Sequence, residues 1–195
     1  MIKLGITGGI GSGKSVVCDI FRIYNIPVYN ADKEAKALND NSPAVREGLI
    51  KSFGSSIYKD GKLDRKRFAS LIFNNEQNLN TANSIIHPEV ANSFLEWCQK
   101  QINKSIVIID AAILFEAGFD KYVDKVITVT SPFELRIERV IKRDNSDYKK
   151  VRLRMDKQSS DEEKIIASDW MILNDEKKSL IKQVSDILKE LSDAV

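Results

Sequence analysis

"GITGGIGSGKSVVCD" (residues 5–19) decides how this chain is read. Gly8, Gly13, Lys14 and Ser15 satisfy the pattern G-x-x-x-x-G-K-[ST]. The apolar run before it, "IKLGIT" (2–7), has the composition of a strand. After it, Val17, Ile20, Phe21 and Tyr24 recur at i, i+3, i+4 and i+7, which is one face of a helix. Strand, glycine-rich turn and helix in that order build a phosphate cradle. The glycines let successive N–H groups turn toward one anion without Cβ clashes, and the helix N-terminus adds partial positive charge. Lys14 is the group to reach the β- and γ-phosphates, and the Ser15 hydroxyl the one to ligate Mg²⁺. A nucleoside triphosphate with Mg²⁺ is therefore expected on a loop formed by Gly9, Gly11, Ser12, Gly13, Lys14, Ser15 and Val16.

Working outward, "VYN" (28–30) reads as a second strand. "SIVIID" (105–110) and "KVITVT" (125–130) are continuous apolar runs that suit strands covered on both faces, and "SDWMILN" (168–174) is a last short strand. Between them lie helices. One is headed by Ser42 and Pro43, with Val45, Leu49, Ile50 and Phe53 on one face. Another is headed by Ser131 and Pro132, and Ser160 and Glu163 form a capping-box pattern. A closing helix over about 176–192 presents Leu180, Val184, Ile187, Leu188 and Leu191. The alternation argues an α/β domain with a parallel sheet. Residues 33–104 hold no convincing central strand. An Asp-Gly turn signal sits in "IYKDGKLD", and 64–101 reads as two or three helices broken around "IIHPEV" (85–90). The stretch is expected to be a helical insertion over the carboxyl edge of the sheet, where ligands of such folds bind.

Composition narrows the class. The chain has 195 residues, enough for one domain with inserted subdomains. Lys and Arg total 30 against 28 Asp and Glu, a balance that does not argue for nucleic-acid binding. No apolar run approaches the roughly 20 residues needed to span a bilayer, and "MIKLGITGG" lacks a signal-peptide layout. Cys18 and Cys98 form no CxxC pair and read as buried thiols in a reducing compartment, so a cytoplasmic location is expected.

A GTPase would need an Asn-Lys-x-Asp element after a late strand. "ILND" (172–175) does not supply it, and "DAAI" (110–113) is not Asp-x-x-Gly. A small-molecule kinase fits the size. Such an enzyme needs a group to orient the acceptor hydroxyl and cations to balance the transferring phosphoryl. Asp32, in "VYNADKEAKAL", is expected to project at the carboxyl edge beside the phosphate loop. A plain helix N-cap accounts for it equally well. Arg136, Arg139 and Arg143 share one helix face, and Arg152 and Arg154 follow. They form either a solvated basic face or a lid, over about 143–158, that closes on ATP, with Arg139 catalytic and Arg143 on the nucleotide.

Several separate blocks together resemble the dephospho-coenzyme A kinase family. They are "GITGGIGSGKS" (5–15), "PVYNAD" (27–32), "GKLDRKRFASLIF" (61–73), "IIHPEV" (85–90), "IIDAAILFEAG" (108–118), "RMDKQ" (154–158) and "ASDWMILND" (167–175). The family's second strand ends in Asp-Ala-Asp. Here Asn30 replaces the first acid and Asp32 matches the second. Ala112 and Ile113 stand where the family has Pro-Leu, Val16 where Thr is common, and Arg136 near a frequent Gln.

The resemblance implies a P-loop NTPase-type three-layer α/β/α fold with a five-stranded parallel sheet, a helical substrate-binding insertion and a lid, all in one kinase domain over 1–195. It implies transfer of the γ-phosphoryl of ATP to the ribose 3′-hydroxyl of dephospho-coenzyme A, with Mg²⁺. Asp32 and Lys14 are then catalytic. Leu63, Arg65, Phe68, His87, Pro88 and Phe115 line the acceptor site, with Glu116 beside it. Asp110 supports Mg²⁺ through water, and Asn174 lies near the adenine. Core packing accounts for Leu63 and Phe68 equally well, and a hydrogen bond accounts for His87 better than proton transfer. The expected partner is the small-molecule acceptor, without nucleic acid or membrane, for a monomer or weak homo-oligomer. Another nucleoside or nucleotide kinase of the same fold, and a non-enzymatic nucleotide-dependent switch, remain as alternatives.

Overall fold

The computed structural model describes residues 1–73, 75–156 and 158–193. Lys157, within the expected lid and the block 154–158, lies outside the described residues, as do 194–195. In chain order the elements are β1 (Ile2–Thr7), α1 (Lys14–Ile23), β2 (Val28–Asn30), α2 (Ala31–Asn41), α3 (Pro43–Phe53), β3 (Tyr58–Lys59), β4 (Lys62–Leu63), α4 (Arg65–Ile72), α5 (Glu76–Gln99), β5 (Ile106–Asp110), β6 (Lys125–Thr130), α6 (Phe133–Asp144), α7 (Tyr148–Met155), α8 (Asp161–Ile166), β7 (Trp170–Leu173) and α9 (Leu180–Asp193). Two compact units result, Met1–Tyr29 with Gln101–Val195, and Asn30–Lys100.

The first unit is built on a five-stranded parallel sheet of order β2-β5-β1-β6-β7. Ile2 of β1 sits opposite Ile106 of β5, and Gly5 opposite Val126 of β6. Alternation along β1 separates the two faces. Leu4 and Ile6 pack with Val17, Phe21, Val184 and Ile187 of α1 and α9. Gly5 faces the other way, and a Cβ there would lie 2.5 Å from Leu114. The chain after β5 therefore covers the second face, which is why β5 and β6 read as unbroken apolar runs.

The second unit contains α2 to α5 and the β3–β4 hairpin. The hairpin turns at Asp60 (φ 50°) and Gly61 (φ 81°), the left-handed pair a two-residue connection requires. Leu63 and Phe68 are buried, and Phe68 meets Phe53 edge-on at 5.4 Å between centroids.

The structure corrects four local expectations. The helix through "IIHPEV" does not break: α5 runs from Glu76 to Gln99 with Pro88 inside it. A proline there costs about 3 kcal/mol. Ala82 and Ile86 before it, and Val90, Ala91 and Phe94 after it, are all buried and hold the helix together. The closing helix begins at Leu180 rather than 176, because Asp175 accepts the N–H groups of Lys177 and Lys178 and closes a turn first. Ser131 does not cap α6; its hydroxyl accepts from Arg139 instead. Asp32 does not cap α2. Asn30 does, its Oδ1 accepting the Lys33 N–H at 2.8 Å. No described helix is long and apolar enough to cross a membrane.

Candidate active site

The phosphate loop joins β1 to α1. Its close packing explains its glycines. A Cβ on Gly8 would fall 2.3 Å from the Val129 carbonyl, and one on Gly9 2.1 Å from the Arg136 guanidinium. Gly13, at φ 90°, occupies the cap position of α1, so no side chain satisfies the first amides of that helix. Those amides and the helix dipole favour an anion at this end.

Ser12 points to the same anion site. It is 1 % exposed, yet its Oγ has no hydrogen-bond partner among the described residues. Leaving a buried hydroxyl unmatched costs about 1–3 kcal/mol, which a bound oxyanion would recover. Ser15 is the second residue of α1 and is exposed. The Lys14 ammonium is paired with the Asp110 carboxylate at the end of β5; their side chains are 14 % and 5 % exposed. Mg²⁺ retains most of its water and needs few protein oxygens beside the phosphates, so one hydroxyl and one nearby carboxylate fit it. Burial pushes the nearby Cys18 thiol up to about 11, although Lys14 and Arg22 pull it down, so it stays protonated and unreactive.

Around the loop, polar side chains hold its main chain. Asn174, just after β7, donates to the Ser12 carbonyl at 2.9 Å, and its own carbonyl oxygen accepts from Arg139 at 3.4 Å. Arg139 also donates to the Gly11 carbonyl, the Ser131 hydroxyl and Glu176. Arg136 does not belong to a solvated basic face. It is 7 % exposed, donates to the Ile10 carbonyl at 3.0 Å and pairs with Asp161 at 2.5 Å. Arg143 and Arg154 both pair with Asp144, and the Arg152 guanidinium stands 5.0 Å from the Phe133 ring. Val16 is 51 % exposed.

Glu116 is engaged within this unit. Its Oε1 accepts from Lys164 Nζ at 3.1 Å and from the Ser159 N–H at 3.2 Å. Burial alone would raise its carboxyl. Its own N–H, the Lys164 ammonium and the Ser159 N–H outweigh that and hold it below the usual carboxylate range. Lys164 is fully buried and also donates to the Ala112 carbonyl, which Thr7 donates to as well. Sequence reading missed Lys164, Asp161 and Gln158 as neighbours of the site. The capping pattern at Ser160 and Glu163 marks a helix start there, but nothing local marks which loops that helix touches.

In the second unit, Asp32 sits in the first turn of α2 with its side chain exposed, in a helix whose cap is Asn30. Arg65 pairs with Asp40 at 2.7 Å. His87 lies on α5, where burial pushes its imidazole below its ordinary value, so the ring is neutral near pH 7.

A phosphate-gripping loop at the head of a parallel sheet, with an arginine-rich helix beside it, is the frame of many kinases, and the comparisons narrow it. The dephospho-CoA kinase family model matches residues 2–179. Dephospho-CoA kinase from Porphyromonas gingivalis is 43 % identical over 190 residues, covering 97 % of this chain and 94 % of that protein. The Bacteroides fragilis enzyme of the same name is 38 % identical over 187 residues, covering 96 % and 91 %. Among solved structures, TT1252 from Thermus thermophilus superposes with a TM-score of 0.83 at 30 % identity, covering 100 % of this chain and 97 % of that one. Dephospho-CoA kinase from Campylobacter jejuni gives 0.69 at 26 % over 98 % of both chains. Shikimate kinase from Acinetobacter baumannii, at 0.54 and 14 % identity over 100 % and 94 %, shares the fold. With a family model spanning nearly the whole chain and relatives matched end to end, this chain belongs to the dephospho-CoA kinase family.

Proposed function

We propose that this protein transfers the γ-phosphoryl group of ATP to the 3′-hydroxyl of the ribose of dephospho-coenzyme A, yielding coenzyme A and ADP. The observation that carries the reading is the orphaned Ser12 hydroxyl in a glycine-rich loop whose helix has no side-chain cap. Convergent amides, an uncapped helix end and an unmatched hydroxyl are what a polyphosphate site requires. Family membership then selects the acceptor.

In this reading Lys14 leaves Asp110 and moves to the β- and γ-phosphates, exchanging one charged partner for another. Asp110 and the Ser15 hydroxyl are the residues that would hold Mg²⁺, the carboxylate through water. Mg²⁺, when bound, neutralises charge that develops on the phosphates. Arg139 balances charge on the transferring group. Asp32 orients the acceptor hydroxyl and takes its proton. A loose phosphoryl transition state asks more for alignment than for full deprotonation, so an ordinary exposed carboxylate suffices. That Asn30 already satisfies the helix cap supports this role, because it leaves the Asp32 carboxylate uncommitted to α2. Arg65, His87 and Phe115 are assigned to the acceptor side. Leu63 and Phe68, buried in the insertion, support its shape. Arg143 and Asn174 are assigned to the nucleotide side, in the cytoplasm.

The test is ADP release by purified protein with MgATP. Release that depends on dephospho-coenzyme A, and not on AMP, UMP or uridine, is the expected result. Acceptor-independent slow hydrolysis, or turnover with a nucleoside monophosphate alone, would overturn it.

A further inference from the structure

Both main-chain polar atoms of Ile10, at the apex of the phosphate loop, are held by side chains from far along the chain. Gln158 Oε1 accepts the Ile10 N–H at 2.9 Å. Arg136 Nε donates to the Ile10 carbonyl at 3.0 Å. Arg136 is itself fixed: its NH1 reaches Asp161 Oδ2 at 2.5 Å, and the same oxygen accepts from the Thr130 hydroxyl at 2.8 Å. Gly9 leaves the room for this arrangement, since a Cβ there would collide with the guanidinium.

We infer that Gln158 and Arg136 are positioning residues that clamp the apex of the phosphate loop and thereby set its affinity for the nucleotide phosphates. A loop that binds an anion through amides works only while those amides converge, and a flexible glycine-rich loop has many other conformations. Holding Ile10 by both its N–H and its C=O removes rotation of the two peptide groups that flank it. Ordering the loop before the ligand arrives lowers the entropic cost of binding. Neither side chain is required to touch the nucleotide. The clamp in this chain carries a charge, and Asp161 balances it.

The clamp borders a cavity of about 550 Å³ whose lining includes Arg136, Gln158 and Asp161. A changed side chain at 158 therefore meets open space on one side, not a packed core. The inference rests on the nucleotide reading of the loop, and the test separates the two. MgADP binding to the whole chain is measured by calorimetry, without any acceptor, and ATP kinetics follow. Gln158→Met keeps the length of the side chain but removes the acceptor. It is expected to raise the MgADP Kd and the KM for ATP together, roughly tenfold to a hundredfold, by leaving the Ile10 N–H unmatched. The KM for the acceptor should not move. A role in folding alone would shrink the active fraction and lower apparent kcat while the surviving molecules bound MgADP as before. Arg136→Lys, which keeps the charge but cannot serve Ile10 and Asp161 at once, should raise the Kd at least threefold. A Kd within twofold of the parent in either folded variant overturns the clamp. Failure of the unaltered chain to bind MgADP overturns the nucleotide reading instead.

Discussion

The Asn174 amide donates to the Ser12 carbonyl at 2.9 Å, fastening the end of β7 to the phosphate loop. The same nitrogen lies where a Cβ on Gly13 would fall, 2.0 Å away. Gly13→Ala should therefore lose nucleotide affinity at least tenfold and lower Tm, through collision and through the cost of a left-handed φ in alanine, about 1–2 kcal/mol. Adding Asn174→Ala removes the collision and leaves the φ strain, so the double variant should regain part of the Tm. Thermal melts with and without MgADP decide it; no recovery in the double variant would show that the collision is not what matters.

Asn30 and Asp32 stand two residues apart and are expected to fail differently. Asp32→Asn should lower kcat by about 10²–10⁴-fold with stability close to the parent, the scale of a positioned acid–base group. Asn30→Ala should cost about 1 kcal/mol of stability, the usual loss for an N-cap, with a far smaller effect on kcat. Steady-state kinetics paired with urea unfolding separate the two; equal kinetic losses would place both residues in the chemistry or neither.

Lys14→Ala should abolish phosphoryl transfer. It should also destabilise the protein, because it removes the ammonium paired with the Asp110 carboxylate, whose side chain is 5 % exposed. Breaking a buried pair from one side costs about 3–5 kcal/mol, and the partial exposure of Lys14 places the expected loss nearer 2–3. Lys14→Ala with Asp110→Asn should recover most of the stability and none of the activity, as read by denaturant midpoint and ADP release.

Stability should fall in two steps as pH drops. Burial lowers the folded pKa of His87 below its ordinary 6.5, so the unfolded chain binds the proton first. The stability this group contributes is whole above pH 6.5 and is lost as pH falls from there toward the folded value. Glu116 is likewise lowered in the fold, so its contribution is whole above its ordinary 4.5 and is lost below it. His87→Gln should flatten the first step and Glu116→Gln the second in urea titrations run from pH 7.5 to 3.5. An unchanged slope in either variant would show that the residue's burial or bonding is not as described.

The phosphate loop was legible in sequence because it is a contiguous device: the spacing of Gly8, Gly13, Lys14 and Ser15, with an apolar strand before and an amphipathic helix after, carries its own geometry. The apolar runs at 105–110 and 125–130 announced strands covered on both faces for the same local reason. What local signals could not weigh was competition. Pro88 carries a strong breaker signal, yet α5 continues through it, because burial on either side outweighs a local penalty. Asp32 and Asn30 are both good caps by type, and in the fold Asn30, on extended backbone at φ −95° and ψ 104°, takes the cap.

The sequence by itself therefore determined the order of strands and helices, the anion-binding loop and the family, all properties of short-range pattern. Only the tertiary structure decided that Lys14 rests on Asp110, that Asn174 and Arg139 grip the loop, and that Gln158 and Arg136 hold Ile10 from 148 and 126 residues away. Such contacts depend on how the chain returns to the same edge of the sheet. Hydrogen bonds across that separation leave no periodicity for a sequence to display.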